Sequence, residues 1–362
     1  MSQKIALVCD WLTEGIGGGE RVIKAVHEIY PKAPIYTSQY RPKKTTWLNK
    51  AEVRTGWLNY FPAKLRRFIP FLRQIYFSNL DLSSYDVVIS ITGAEAKYVK
   101  TGESTKHISY IHAPTQYYWG KYDQYIKDPG FGFLNPILRL GLKLFIGPLR
   151  KADFSLAQRP DVMIANSSFV KKEIKEYYKR DSTIIFPPVS VEKVSKKEKE
   201  GFVVIGRQVN WKRVDLAIEA IKKTNDNLLI VGDGPEHDKL VRMADNLNNI
   251  KFMPPIKDAK KISQVLADKK GFIFTSQEPF GIAPVEALML GTPVIAYKDG
   301  GALDFIINDK NGLFFDKQNV ESLVEAIKKF YTIKFNSKQV KESADKFSKN
   351  NFIKQIKKIV EG

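Results

Sequence analysis

The chain has 362 residues, with 58 Lys and Arg against 39 Asp and Glu, a formal net charge of +19 and 43% apolar residues. That length exceeds one ordinary hydrophobic core and suits two domains, and no stretch supplies the ~18 uninterrupted apolar residues of a membrane-spanning helix. A single cysteine, Cys9, rules out a disulfide framework and fits a reducing cytoplasm.

In chain order, "KIALVCD" (4–10) reads as a first strand rather than a secretory leader, since its apolar run is short and ends in Asp10. Gly17-Gly18-Gly19 follow, just before a helix with Glu20 in its first turn. Glycines let a backbone approach a bulky anion, and a helix start offers unpaired N–H groups. The run matches neither a dinucleotide fingerprint nor a Walker A loop, so by itself it reads as a turn that needs positive φ angles rather than as an anion site. The segment 57–77 mixes aromatic and aliphatic residues with Lys64, Arg66, Arg67 and Arg73, and "ILRLGLKLFIGPLRK" (137–151) repeats the combination. Both suit a surface resting on acidic headgroups, or core helices with solvated basic edges. "VVISITG" (87–93), "HISYIHA" (107–113) and "DVMIANS" (161–167) complete the strands expected of the first unit.

Two prolines and a charge run in "FPPVSVEKVSKKEKEG" mark a linker. Beyond it, "GFVVIGR" (201–207), "NLLIVGDG" (227–234), "IKFMPP" (250–255), "GFIFTS" (271–276) and "TPVIAYK" (292–298) alternate with amphipathic stretches such as 213–223 and 320–331. Apolar strands alternating with helices imply parallel sheets covered on both faces. The expected class is α/β, two Rossmann-like doubly wound domains facing each other across a cleft. The expected boundaries are 1–190 for a first domain, 191–345 for a second, and 346–362 for a C-terminal helix packing back on the first. In such sheets ligands bind beyond the carboxyl ends of the strands.

Chemistry concentrates at those ends. Arg207 closes one strand and Lys212 lies five residues on. Two cations there can grip a diphosphate, Arg through a planar fork and Lys as a point charge, although a basic chain also scatters such pairs on its surface. After "GFIFTS" the chain turns through Glu278-Pro279-Phe280-Gly281, and a helix is expected to begin near 282–284, with Pro284 tolerated in its first turn. Glu286 falls inside that helix. Both carboxylates can accept hydrogen bonds from sugar hydroxyls. They could instead be a cap and a solvated helix position.

Glu278 and Glu286, seven residues apart in "EPFGIAPVEALMLGTPVIA", resemble the E-x7-E motif of retaining GT-B glycosyltransferases of family 4. "KDGGALDFI" is similar to that family's GG-x-x-E/D segment, here with Asp304, "GRQVNWKRVDLAIEA" to its donor-phosphate segment, "VGDGPE" to its next loop, and "ANSSFVKKEI" to the segment closing its first domain. The resemblance runs in order along nearly the whole chain. It implies that Arg207 and Lys212 hold the donor diphosphate in place of a metal, and that Glu286 binds ribose hydroxyls. It further implies that Glu278 holds the transferred sugar, aided by the backbone of Phe280, Gly281 and Ile282. Gly18 and Gly19 would let the first domain close over the phosphates, and His112, in "YIHAPTQYYW", would stand near the sugar.

The family retains anomeric configuration, so the acceptor hydroxyl would attack from the face the diphosphate leaves. "HAPTQYYW" resembles a stretch in mannosyltransferases that assemble O-antigens and related polysaccharides, which points to GDP-mannose as donor substrate, with no cofactor and no metal. The implied acceptor is a lipid-linked saccharide at the inner face of the cell membrane, reached by a cytoplasmic, peripherally bound enzyme. A UDP-sugar donor and a non-catalytic sugar-nucleotide sensor remain as alternatives. A nucleic-acid-binding role, suggested by charge alone, lacks any RNA-binding or helix-turn-helix motif.

Overall fold

The computed structural model describes residues 3–15, 17–48, 50–62, 70–127, 135–195, 198–245 and 247–362. The chain divides into two compact units: Met1–Pro188 with Phe352–Gly362, and Val189–Asn351.

In the first unit, β1 (Ile5–Cys9), β2 (Ile35–Thr37), β3 (Val53–Thr55), β4 (Val87–Thr92), β5 (Lys106–Ile111), β6 (Val162–Ala165) and β7 (Thr183–Ile184) form one parallel sheet, ordered β3-β2-β1-β4-β5-β6-β7. Among the described residues α1 (Gly18–Ile29), α2 (Pro70–Asn79), α3 (Tyr122–Lys127), α4 (Asn135–Leu156) and α5 (Ser168–Tyr178) accompany it. Alternate residues of β1 and β4 enter different cores. Leu7, Ile89 and Ile91 join Val22 and Val26 of α1, while Ala6, Val8 and Val88 join Phe77 of α2. This two-sided burial is why these strands read as unbroken apolar runs.

The second unit holds β8 (Phe202–Ile205), β9 (Leu228–Val231), β10 (Ile250–Met253), β11 (Gly271–Phe274), β12 (Val294–Tyr297) and β13 (Gly312–Phe315), again parallel, ordered β10-β9-β8-β11-β12-β13. Its helices are α6 (Val214–Thr224), α7 (His237–Met243), α8 (Ala259–Ala267), α9 (Ile282–Met289), α10 (Ala302–Phe305), α11 (Val320–Phe330) and α12 (Ser337–Glu342). Side chains of Asp258, Asn319 and Asn336 accept the first free N–H groups of α8, α11 and α12, the usual way a helix start is satisfied. A final helix, α13 (Lys349–Glu361), returns to the first unit, where Phe352, Ile356 and Val360 complete its core. Both sheets reverse their strand order once, between β1 and β4 and between β8 and β11. In doubly wound sheets that reversal opens the ligand crevice.

Every apolar run read as a strand contains one, and the helix after "GFIFTS" begins at Ile282 as expected. β2, β3, β7 and β13 were not foreseen. One reading is corrected. Arg73 is not a surface cation: it is buried, its guanidinium paired with Glu95 at 2.8 Å and stacked on Trp11. Lys64, Arg66 and Arg67 lie outside the described residues.

His107 on β5 is fully buried, with Nε2 against Ser90 Oγ at 3.0 Å and Nδ1 lacking a partner among the described residues. Burial, and secondarily the charge of Arg159, push its pKa down from 6.5 to about 3. Between those values the unfolded chain holds a proton that the native protein does not, so stability is complete above about 6.5 and drains as pH falls toward 3. Each unit of that gap corresponds to about 1.4 kcal/mol. Urea midpoints measured across this range should fall with acid, and His107→Gln should flatten the slope. An unchanged slope in the variant would assign the acid limb to other groups.

Candidate functional site

The carboxyl ends of β8 and β11 lie side by side at the reversal of the second sheet. From β8 the chain runs through Arg207 into a short 3-10 turn, Asn210–Lys212, and from β11 into the loop 275–281. Lys212 Nζ reaches across to Glu278 Oε1 at 2.8 Å, and the same carboxylate oxygen accepts from Ser276 Oγ at 2.7 Å. Thr275 Oγ1 donates to the carbonyl of Lys212 at 2.7 Å, tying the two loops at the backbone as well. The ammonium and the carboxylate are 25% and 20% exposed, enough for a ligand to reach both. Arg207 is exposed, and its guanidinium has no partner among the described residues.

Two further elements hold this pair. Gln208 is fully buried. Its Nε2 donates to the carbonyl of Gly232 at 2.9 Å and its Oε1 meets His237 Nδ1 at 2.7 Å, while its N–H donates to the carbonyl of Asp233. The β8 loop is thereby laced to the "VGDGPE" loop after β9. Under the β11 loop lie Gly300 and Gly301. Gly301 N–H donates to the Glu278 carbonyl at 2.8 Å, and a methyl group at residue 301 would collide with Phe280 Cα. The two glycines permit this close backbone approach. Phe280 points its ring into the core against Phe305 and Phe347, leaving only its backbone to face a ligand. Gly281 takes φ +105, and a Cβ there would press on Phe274. That turn starts α9 at Ile282 with no side-chain cap, so the first amides of α9 remain open to an anion.

Glu286 is buried within α9 rather than solvated, and Glu278 does not cap that helix. Asp304 sits in the first turn of α10, its carbonyl accepting from Lys346. Among the described residues no cluster of three or more His, Cys, Asp or Glu side chains could hold a metal ion.

The first unit builds a parallel arrangement at its own reversal. Buried Asp10, just after β1, accepts from Thr92 Oγ1 at 2.9 Å, Gly93 N–H at 2.9 Å and Ala96 N–H at 2.8 Å, locking the loop after β4. His112, after β5, is half-buried. Its Nε2 would lie 3.3 Å from a Cβ on Gly19, so the glycine lets the start of α1 approach the imidazole. Gly18 is the first residue of that helix. Burial outweighs Asp10 and lowers the His112 pKa to about 4, leaving a neutral ring at neutral pH.

The family description Glycosyl transferases group 1 matches residues 187–352, which span every residue of the second-unit site. An uncharacterized glycosyltransferase of Methanocaldococcus jannaschii is 28% identical over 193 residues, 52% of this chain and 55% of that protein, so the chain spans about half the length of this curated relative. Alpha-1,3/1,6-mannosyltransferase ALG2 of Dictyostelium discoideum is 24% identical across 96% of this chain and 95% of its own. Among solved structures, Anabaena HepE in complex with UDP superposes with a TM-score of 0.72 at 18% identity, covering 98% of this chain and 99% of its own. That likeness carries the fold: two Rossmann-like parallel-sheet domains of the GT-B class.

Within residues 187–352 the structure brings together Lys212, Glu278 and the backbone of Phe280, Gly281 and Ile282. His112, Gly18 and Gly19 gather separately in the first unit. Sequence reasoning missed Gln208 and Asp10. Each follows a strand at a sheet reversal, and a buried polar residue there must bond the neighbouring loops; that position was the available signal.

Proposed function

We propose that the protein is a retaining glycosyltransferase that moves mannose from GDP-mannose onto a lipid-linked saccharide during cell-surface polysaccharide assembly, without a metal. The observation that carries the reading is the Lys212–Glu278 pair, bridging two loops at the sheet reversal beside the uncapped start of α9. In this reading Arg207 and Lys212 take the diphosphate, with the α9 amides adding a fixed positive end. These groups stabilise the charge that grows on the departing diphosphate more than the bound ground state. Lys212 would exchange Glu278 for phosphate, releasing the carboxylate for hydroxyls of the sugar, and buried Glu286 would take the ribose. Neutral His112, with Gly18 and Gly19, would serve the transferred sugar and phosphates from the first unit. The alignment with a mannosyltransferase along 96% of the chain supports mannose.

A second reading keeps the chemistry and uses a UDP-sugar carrying glucose, galactose or N-acetylglucosamine; a structural neighbour bound to UDP favours it. Thermal shifts with GDP, UDP and ADP in EDTA separate the two. GDP should raise the unfolding temperature most, and GDP-mannose should then be turned over in the same buffer. Stabilisation by UDP alone would replace the mannose assignment. Binding without turnover of any sugar nucleotide would make the protein a sensor.

A further inference from the structure

Helix α4 carries its polarity inside out. Arg150 and Asp153 face the body of the first unit. Arg150 Nε donates to the Tyr118 carbonyl at 2.6 Å and the guanidinium stacks over Trp119 and Tyr122, while Asp153 is fully buried beside Lys97. The opposite face, at positions i, i+3 and i+7, presents Ile137, Leu140 and Leu144, which are 70%, 60% and 65% exposed, with Phe145 at its edge 61% exposed. A surface helix normally does the reverse. The stripe is bordered by exposed Lys143 and Lys151, and the only acid in the helix, Asp153, is buried.

We propose that this face of α4 lies on an anionic lipid surface. Apolar side chains enter the boundary between headgroups and acyl chains, and flanking lysines meet lipid phosphates, as in helices that rest in a membrane interface. The helix does not cross: no helix among the described residues is long and apolar enough, and α4 carries Arg139, Lys143, Arg150, Lys151 and Asp153. Charge argues for lipid over a second copy of the chain, because self-association would bring Lys143 and Lys151 of two chains carrying +19 each together. This surface is the second of the two segments, 137–151, that the sequence matched to acidic headgroups. The proposal extends the membrane partner of the proposed function, and its test is independent of sugar transfer.

The test is co-sedimentation with phosphatidylcholine vesicles with and without phosphatidylglycerol. The protein should pellet with the anionic vesicles. Ile137→Ser/Leu140→Ser/Leu144→Ser should weaken that binding at least about tenfold, and Lys143→Gln and Lys151→Gln by roughly fivefold each. Unchanged unfolding temperatures in these variants would show that the fold is intact. Three outcomes overturn the proposal: native protein that stays in the supernatant, a triple-serine variant that pellets as the native chain does, or a native dimer that the triple variant dissolves without any vesicle binding. If instead the donor screen fails while vesicle binding holds, the transferase reading falls and this surface stands.

Discussion

Lys212→Ala is expected to lower kcat/KM for sugar transfer by about 10²- to 10³-fold, the usual cost of deleting one fixed group that faces developing charge. Stability should barely move. The Lys212–Glu278 pair is partly exposed, and such pairs contribute about 0–1 kcal/mol. Lys212→Arg should recover only part of the rate, because a planar fork on a longer side chain does not place its charge where an ammonium sits. Arg207→Ala should fall in the same range. The double variant should lose less than the product of the two, since both cations act on one diphosphate. Steady-state kinetics with saturating acceptor decide the matter. A variant within threefold of the native rate (about 0.65 kcal/mol) would remove the cations from the mechanism.

The second large effect is structural. Asp153 and Lys97, 0% and 1% exposed, pair at 3.2 Å in the first unit, and Asp153 also accepts from Tyr98, from Thr115 Oγ1 at 3.0 Å and from Trp119 Nε1 at 2.5 Å. Asp153→Ala leaves a buried ammonium without its counter-charge, which costs about 3–5 kcal/mol. Against a typical total of about 5–15 kcal/mol, that is a large share. Lys97→Met with Asp153→Leu should regain most of the loss, because an apolar pair removes both desolvation penalties. Urea titration reads the difference directly. A loss below about 1 kcal/mol for Asp153→Ala, the scale of an exposed pair, would mean the site is open to water. The same carboxylate anchors Thr115 and Trp119, so the loop carrying His112 should lose its shape in the single variant.

These two sites were unequally legible in the sequence. The strands could be read because burial on both faces leaves four or more consecutive apolar residues, as in "FVVI" of β8. β3 escaped because it is a three-residue outer strand with Arg54 and Thr55 exposed, and β7 is only two residues long. Lys212 and Glu278 were each picked out by their distance from a strand end. Their meeting was not readable, because it depends on β11 lying beside β8 rather than beside its sequence neighbour β10. Arg73 was misread for the opposite reason. An arginine among aromatic residues reads as an amphipathic edge, and its partner Glu95 stands twenty-two residues away on another element. The exposed stripe of α4 could not be told from a core helix, since periodicity gives the face and not its direction.

The return of α13 sets an order of events during synthesis. Phe352, Ile356 and Val360 seal a core whose other walls are laid down before residue 189, with the whole second unit translated in between. At roughly 5–20 residues per second that wait is on the order of ten seconds. Through it the nascent first unit lacks the side chains that cover Val22, Val26 and Tyr110 in the finished core. Its final tightening therefore waits until residues 352–360 have been made, after the last residue of the second unit, Asn351.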